Sequence, residues 1–353
     1  MRFEEAYPLI PEVLSGVTGL HVDPVQVQAP GDDPRSDLQI LAGKYRFLVE
    51  FKHASSADSV GAAARVLTGD RTGEAELTIP LLVVPHMGAV GRRIADAADL
   101  SWLDLSGNAC IRAPGLHVRV LGRPNRFPRR GRPRTLFAPR GSRIVRRLLL
   151  SPDEHFSQRG LSRETGVDKG YTSRYVRSLS KAGLVTRETP PDGPRENRIR
   201  VNDPDLLLDA WAEAYRFDDH RIWRGLTASR SGEETLARVA EVLAGLNGDY
   251  AFTGLAAAWL YSSYAAFRLV TAYVRDPAVV AVLETAGVRE QSTGANVWIA
   301  IPNDDGVLHG AAIVRGMPCV STLQTYLDLK AHPERAAEAA AELRRSALPW
   351  SMT

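Results

Sequence analysis

The chain has 353 residues, of which 44% are hydrophobic and 24% are charged, a balance typical of globular protein that excludes disorder over the whole length. Only two cysteines are present, Cys110 and Cys319, which excludes a disulfide-stabilised scaffold and favours a reducing compartment. The sequence has no apolar run of transmembrane length and no signal-peptide pattern, so we expect a cytoplasmic protein without a membrane partner. At about 150 residues per domain, the length predicts two or three domains.

The net charge of +3 hides an uneven distribution along the chain. Between Leu105 and Pro152 there are twelve arginines and no acidic residue, whereas the remainder has 32 basic and 41 acidic residues, a net charge of −9. Arginine outnumbers lysine 39 to 5, which is typical of a GC-rich genome. That bias explains the choice of arginine, but it does not explain the loss of acids over 48 residues.

The first predicted domain, residues 1–121, alternates strand-like and helix-like segments. In chain order the predicted elements are a helix over 3–15, the strands DLQILAG and YRFLVEFKH joined at Gly43-Lys44, a helix over 56–67, the buried strand LTIPLLVVP, the short helix GRRIADAADL, and the strands WLDLSGNACIR and LHVRVLG. This order predicts a mixed sheet with helices on its faces. Asp104, Ser106 and Asn108 surround Gly107, and we interpret them as a hairpin turn in preference to a site.

Three charged residues of this domain form a candidate metal-dependent site. Asp37 opens one predicted strand, and Glu50 and Lys52 lie two apart on the next strand, so their side chains share one face. Two such carboxylates suit Mg²⁺, and a lysine beside them suits the attacking water of a phosphodiester hydrolysis. The plainer alternative is an exposed strand edge on which Lys52 pairs with Glu50.

The pieces SDLQI (36–40) and VEFK (49–52) resemble the PD-(D/E)xK nuclease superfamily over about 120 residues. The resemblance implies a restriction-endonuclease-like fold, in which Asp37, Glu50 and Lys52 are the catalytic residues and the two carboxylates hold Mg²⁺. The motif of that superfamily has a proline directly before the aspartate, whereas here Pro34 lies three residues before Asp37. An active nuclease and a domain that only binds DNA are both consistent with these motifs.

Residues 122–137, GRPNRFPRRGRPRTLF, form a predicted linker rich in arginine and proline. Basic arms of this kind bind phosphates in a salt-dependent way and can enter a narrow minor groove. The arginines expected to contact DNA here are Arg129, Arg130, Arg132 and Arg134. A solvated linker is the alternative.

The second predicted domain, residues 138–216, has the pattern of a winged helix-turn-helix. SRIVRRLLL, FSQRGLSRETGV and DKGYTSRYVRSLSKAGLV are three predicted helices, and VTRETPPDGPRENRIRVN follows as a hairpin. The third helix is expected to enter the major groove and the hairpin to act as a wing. The predicted contacts to double-stranded DNA are Lys169, Tyr171, Thr172, Ser173, Arg174 and Arg177 on the helix, and Arg195, Arg198 and Arg200 on the wing.

The third predicted domain, residues 217–353, has an α/β pattern that begins with a helix at 233–246. Its segments FTGLAAAWLY (252–261), TGANVWIAIP (293–302) and STLQTYLDLKAHPERAAEAAAELR (321–344) resemble the C-terminal domain of AbiEi-family antitoxins of type IV toxin–antitoxin systems. That resemblance implies a partner-binding or DNA-bending module, with a toxin or another protein as its partner, and repression by the preceding winged helix. The predicted order of a strand, a turn at Thr253-Gly254, a helix and a further strand is that of a nucleotidyltransferase-like fold. The strand that holds two carboxylates in active transferases reads LVTAYV (269–274) and has no acid, so we expect this domain to be catalytically empty.

The sequence therefore predicts a DNA-binding protein with α/β and α+β domains, most simply a sequence-specific transcriptional regulator of antitoxin type. A Mg²⁺-dependent endonuclease or nickase targeted by the winged helix is the alternative. Because many such regulators bind two-fold operators, a homodimer is also consistent with the sequence.

Overall fold

The computed structural model describes residues 2–22, 26–27, 36–55, 57–67, 77–127, 136–188, 198–246, 250–264, 266–330, 332–348 and 350. The chain divides into two compact units, residues 1–134 with 179–184, and residues 135–178 with 185–353. Within the described ranges, the helices are too short or too polar to cross a lipid bilayer.

The first unit is built on a seven-stranded mixed sheet. Its elements are α1 (Phe3–Ala6), a 3-10 turn (Tyr7–Leu9), α2 (Ile10–Thr18), β1 (Gln26–Val27), β2 (Leu38–Ala42), β3 (Tyr45–Phe51), α3 (Ala57–Leu67), β4 (Thr78–Val84), α4 (Ala89–Ala97), β5 (Ser101–Asp104), β6 (Ala109–Ala113) and β7 (Leu116–Val120). The strands lie in sequence order from β1 to β7. The pairs β3–β4 and β4–β5 are parallel, each joined through a helix, and the other pairs are antiparallel.

Alternate residues of the strands pack into two separate hydrophobic cores, one on each face of the sheet. On one face Phe47 and Val49 of β3 belong to the same buried cluster as Ile10 of α2. On the other face Leu82 of β4 clusters with Val60 of α3. Because side chains alternate along a strand, helices therefore cover both faces of the sheet, as the sequence predicts.

The predicted helix over 3–15 is divided in the structure. Pro8 lies in the 3-10 turn and Pro11 in the first turn of α2, and proline fits there because those positions need no backbone donor. The short edge strand β1 was not predicted. Ser56, the first residue of the predicted helix over 56–67, lies outside the described residues.

A winged helix follows in the chain, and most of its residues belong to the second unit. Its elements are α5 (Pro139–Leu150), β8 (Phe156–Ser157), α6 (Gln158–Thr165), α7 (Lys169–Lys181), β9 (Val185–Glu188) and β10 (Arg198–Val201). The three strands form an antiparallel sheet in the order β8-β10-β9. The predicted winged helix-turn-helix is confirmed, with one difference: Phe156 and Ser157 form a strand and do not start the second helix. Ser157 instead caps α6 by accepting a hydrogen bond from the Gly160 amide at 3.0 Å.

The remainder of this unit is an α/β domain around a second seven-stranded sheet. Its elements are α8 (Pro204–Ala214), a 3-10 turn (Phe217–Asp219), β11 (Arg221–Leu226), α9 (Gly232–Leu243), a 3-10 turn (Ala244–Leu246), β12 (Tyr250–Thr253), α10 (Gly254–Ser262), β13 (Val270–Val274), α11 (Val279–Thr285), β14 (Arg289–Glu290), β15 (Val297–Ile301), a 3-10 turn (Asp305–Leu308), β16 (Ala312–Val314), β17 (Met317–Cys319), α12 (Thr322–Leu329) and α13 (Ala336–Ala347). The sheet order is β14-β11-β15-β13-β12-β17-β16.

The predicted strand-to-helix turn at Thr253-Gly254 is present in this domain. Gly254 has φ +60°, and a Cβ there would lie 2.6 Å from Nε2 of His332, so only glycine fits. The elements α8, β11, β14 and β17 were not predicted. Helix α8 carries ordinary start signals, since Asp203 accepts from the Leu206 amide at 2.9 Å and Pro204 occupies the first turn.

Candidate nucleic-acid interface

Helix α7 has one buried face and one cationic face. Tyr175 and Val176 are buried, whereas Arg174 and Arg177 are exposed one turn apart. Within the part of the chain that the structure describes, neither Arg174 nor Arg177 has a carboxylate within salt-bridge distance. Lys169 is also exposed, and Tyr171 and Ser173 are partly exposed. The helix therefore presents free guanidinium groups to solvent along the surface that a major-groove helix uses.

The start of α7 is held by a small charged cluster. Asp168 accepts from the Tyr171 amide at 2.8 Å and from Arg140 Nη2 at 2.9 Å. The amide hydrogen bond, with the nearby arginines, lowers the pKa of Asp168. Arg140 also lies over the Tyr171 ring, 5.3 Å from its centroid. The cluster fixes Tyr171 and Arg140 at the helix end where base contacts are usually made.

The structure corrects the prediction for Thr172. Its side chain is fully buried, and its hydroxyl donates to the backbone oxygens of Val167 and Asp168. The residue therefore stabilises the turn before α7 and does not face a DNA groove.

The described part of the wing is also cationic. On β10, Arg198 and Arg200 are exposed and alternate with the buried Ile199 and Val201. Because strand side chains alternate between faces, both arginines lie on the outer face. The remaining predicted contacts, Arg195 on the wing and Arg129, Arg130, Arg132 and Arg134 on the linker, lie outside the described residues.

Several arginines of the acid-free stretch are engaged inside the fold. Arg112 pairs with Asp96 and Asp99 at 3.0 and 3.2 Å. Arg147 pairs with Glu164 and Glu154 at 2.6 and 3.1 Å. Folding thus brings acids from elsewhere in the sequence onto this stretch, and these arginines are paired with carboxylates.

Two further arginines of α5 tie the winged helix to the α/β domain. Arg143 Nε lies 2.7 Å from Oδ1 of Asp304. Arg146 is buried, donates to the side-chain oxygen of Gln324, and lies over Trp211 at 5.0 Å from the ring centroid. Burial lowers the pKa of Arg146.

Gln324 connects this arginine to a buried carboxylate, Asp328. Asp328 accepts hydrogen bonds at 2.5 Å from Thr253, 2.5 Å from Tyr215, 3.0 Å from Tyr273 and 2.8 Å from Gln324. Burial raises its pKa to about 6, although these donors act in the opposite direction. In the sequence, Gln324 and Asp328 stand out only as part of the segment 321–344 that resembles the AbiEi family. Their burial could not be predicted, because it depends on segments that are distant in the sequence.

Two histidines border the same network. His220 Nε2 lies 3.0 Å from the Tyr215 hydroxyl, and His332 Nε2 lies 3.0 Å from the Thr271 hydroxyl. Burial lowers the pKa of each histidine to about 4. Both are therefore neutral near pH 7, and among the described residues Arg146 is the cation that faces Asp328 through Gln324.

In the first unit, the predicted Asp37, Glu50 and Lys52 lie at one end of the sheet. Lys52 Nζ lies 2.5 Å from Oε1 of Glu50, and Oδ2 of Asp37 accepts from the Phe51 amide at 2.9 Å. Glu50 is only 9% exposed, so it is not on a solvated edge. Burial raises the pKa of Glu50, and the neighbouring Asp37 charge adds to this effect, whereas Lys52 lowers it.

Asp37 and Glu50 are the two carboxylates here that could hold a cation, since the charge of Asp37 acts on Glu50. A hydrated Mg²⁺ needs only one or two protein carboxylates, and a buried glutamate close to a second acid has electrostatic reason to hold one. Among the described residues, however, no group of three or more His, Cys, Asp or Glu side chains is placed to hold a metal ion. The ion pair between Lys52 and Glu50, which the alternative of an exposed strand edge predicts, is present.

The residues around Gly107 are structural, as the turn interpretation predicts. Asp104 is fully buried and accepts from the Met87 amide at 3.0 Å and the Asn108 amide at 2.9 Å. Asn108 in turn accepts from the Arg123 amide at 2.8 Å. Burial acts to raise the pKa of Asp104, but the pKa is lowered overall by His86 and by the hydrogen bonds from the Met87 and Asn108 amides.

Comparison with known proteins supports the DNA-binding part of this site. Residues 141–196 match the model of the MarR family. The match covers α5 to the wing, which is the region that carries the cationic face of α7. No curated protein and no solved structure matches the chain significantly. The chain thus contains a MarR-like winged helix, a domain type of DNA-binding transcription regulators.

Proposed function

We propose that the protein is a sequence-specific transcriptional regulator that binds double-stranded DNA through its winged helix. The observation that carries the proposal is the pair of exposed guanidinium groups, Arg174 and Arg177, on the outer face of α7. Arginine reads guanine by two parallel hydrogen bonds in the major groove. The two exposed arginines of β10, Arg198 and Arg200, suit phosphate contacts by the wing.

The test is a gel-shift or anisotropy measurement on duplexes selected from a random pool. We expect Arg174→Ala and Arg177→Ala each to weaken binding to the selected duplex about tenfold, the equivalent of about 1.4 kcal/mol. Arg345→Ala is the matched control, because it removes an exposed arginine from α13 of the same chain. Equal affinity for every duplex would refute sequence-specific regulation.

The linker arginines are proposed to add affinity without sequence preference. Joint substitution of Arg129, Arg130, Arg132 and Arg134 by glutamine should reduce the slope of log affinity against log salt concentration, by about 0.9 for each phosphate that the linker no longer neutralises. The preference between the selected duplex and a scrambled one should remain. An unchanged slope would show that the linker does not touch DNA.

The antitoxin role and the dimer are finer proposals, which rest on the sequence resemblance of residues 217–353 and on the symmetry of operators. If the role is correct, a nucleotidyltransferase-type toxin should co-purify with the protein on co-expression, and its toxicity should fall. No complex under those conditions would count against the role. Sedimentation of the protein with and without an operator duplex tests the homodimer.

A Mg²⁺-dependent endonuclease or nickase is a second candidate, favoured by the placement of Asp37 near the buried Glu50. Asp37 and Glu50 would hold the cation, which when bound stabilises charge on the phosphate. Lys52 would orient the attacking water once the cation replaces it at Glu50. Because Lys52 forms an ion pair with Glu50, a cation that binds Glu50 must first displace the Lys52 ammonium group.

Supercoiled plasmid incubated with Mg²⁺ or Mn²⁺ tests this candidate. We expect nicking by the wild type to be lost in Lys52→Ala and retained in Lys44→Ala, which removes the exposed lysine at the opposite end of the same hairpin. Cleavage that persists unchanged in Lys52→Ala would remove this mechanism.

A further inference from the structure

A cleft in the α/β domain is lined by three arginines that the DNA-binding surface does not use. Its volume is about 830 Å³, within the range of about 300–1,000 Å³ that is common for small-molecule sites. Arg230 lies in the loop between β11 and α9, Arg268 precedes β13, and Arg289 is on β14. Three segments that are distant in sequence thus direct positive charge into one concavity.

The three guanidinium groups are available to a ligand. All three residues are exposed, and within the described part of the chain none of them forms an ion pair. The cleft has one acidic lining residue, Glu334, whose Oε2 lies 3.4 Å from the Arg268 amide. The net charge of the described lining is therefore positive.

Hydrogen bonds among its residues hold the wall of the cleft in place. Asn296 holds Thr227 at both ends of its peptide, accepting from its amide and donating to its carbonyl oxygen, each at 2.9 Å. Arg238 donates to the Thr227 hydroxyl at 2.9 Å. The Glu234 carboxylate accepts from the Arg230 amide at 2.8 Å, which fixes the loop at the start of α9. A preformed wall reduces the entropy lost when a ligand binds.

We propose that this cleft binds a small anion that carries two or more phosphate groups, such as the phosphate chain of a nucleoside triphosphate. Each planar guanidinium matches two phosphate oxygens, and three of them suit a multiply charged anion better than a single carboxylate. Ser229 and Ser231 line the same cleft, where their hydroxyl groups bond to Thr235 and to the Glu234 amide and help to fix the wall. The described lining includes no aromatic side chain to stack a base, so recognition is centred on the phosphates. This proposal does not depend on the winged helix binding DNA.

The test is calorimetric titration of the full chain with sodium tripolyphosphate, pyrophosphate and ATP at physiological salt, with sulfate as a comparison anion. We expect saturable binding of one tripolyphosphate per chain, weakened about tenfold or more in Arg268→Gln and in Arg289→Gln. Arg221→Gln is the matched control, because it removes an exposed arginine from the opposite end of β11. It should bind as the wild type does, and unchanged melting temperatures should show that all variants are folded.

Two results would overturn the proposal. One is the absence of saturable binding by tripolyphosphate, pyrophosphate and ATP at millimolar concentration. The other is an equal loss of binding in Arg221→Gln, which would mean attraction to the general charge of the domain. Weaker duplex binding by Arg268→Gln and Arg289→Gln, without any binding of the small anions, would instead assign the arginines to DNA and refute the cleft as a small-molecule site.

Discussion

The buried carboxylate of Asp328 should give the protein a measurable pH dependence of stability. Its pKa is about 6 in the folded chain and near 3.8 in an unfolded one. Because the folded pKa is the higher of the two, the stability that protonation of Asp328 contributes is fully present below about pH 3.8 and is lost as pH rises through about 6. A difference of about two pKa units corresponds to about 3 kcal/mol.

Asp328→Asn isolates this effect from that of the two buried histidines. His220 and His332 have a folded pKa of about 4 against 6.5 unfolded, so their contribution has the opposite sign and is lost as pH falls through that window. They are present in both proteins and cancel in the difference. We therefore expect the free energy of unfolding of the wild type, minus that of Asp328→Asn, to rise by about 2.4 kcal/mol from pH 7 to pH 4, which is most of the full effect.

Urea unfolding followed by tryptophan fluorescence at several pH values measures this difference, since Trp211 and Trp298 lie in the same unit as Asp328. Asp153→Asn, an exposed position on the winged helix, controls for the loss of one carboxylate and should give no such rise. A wild-type minus Asp328→Asn difference that stays constant between pH 4 and 7 would refute the reasoning.

Three further predictions concern packing and charge. In Gly141→Ala the added Cβ would lie 2.4 Å from the Tyr175 ring, so the free energy of unfolding should fall by about 1–3 kcal/mol, and an unchanged melting temperature would contradict this close approach. In Gly254→Ala the new side chain would be strained at φ +60° and would lie 2.6 Å from His332. Calorimetry should therefore show a loss of about 2 kcal/mol or more in the free energy of unfolding, and a smaller loss would mean that the turn relaxes. Arg147→Ala removes two ion pairs whose carboxylates are partly exposed, so it should cost about 0.5–1 kcal/mol of stability. It should leave duplex affinity within about twofold, and a large loss of affinity would instead make Arg147 a DNA contact.

The winged helix was predictable from sequence because its signals are local. Gly166 ends α6 with φ +66°, the left-handed conformation that glycine adopts readily, and the apolar spacing of α7 follows a helical period. Strand β8 was missed because it has only two residues and exists through its pairing with β10, about 40 residues later. A strand of that length has no periodicity of its own.

The charge distribution was only partly predictable for the same reason. The stretch from 105 to 152 indicates a free cationic surface, but Arg143 pairs with Asp304, 161 residues further along the chain. The burial of Asp328 also depends on Tyr215, Thr253 and Tyr273, which lie on separate elements. Tertiary packing decides which side chains pair at such separations, and the composition of a segment cannot predict these pairs. The exposed Arg174 and Arg177 were predictable because helical spacing alone places them opposite the buried face.

The link between α5 and the α/β domain has a consequence for how this protein can be divided and recombined. A fragment that ends after the wing would expose Arg146 without Gln324 and Trp211, and Arg143 without Asp304. The winged helix is therefore not an independent module, because two arginines of its first helix, α5, bond to residues more than 150 positions further along the chain. A redesign of the proposed DNA contacts should therefore change the outer face of α7 alone and keep α5 together with the domain that it contacts.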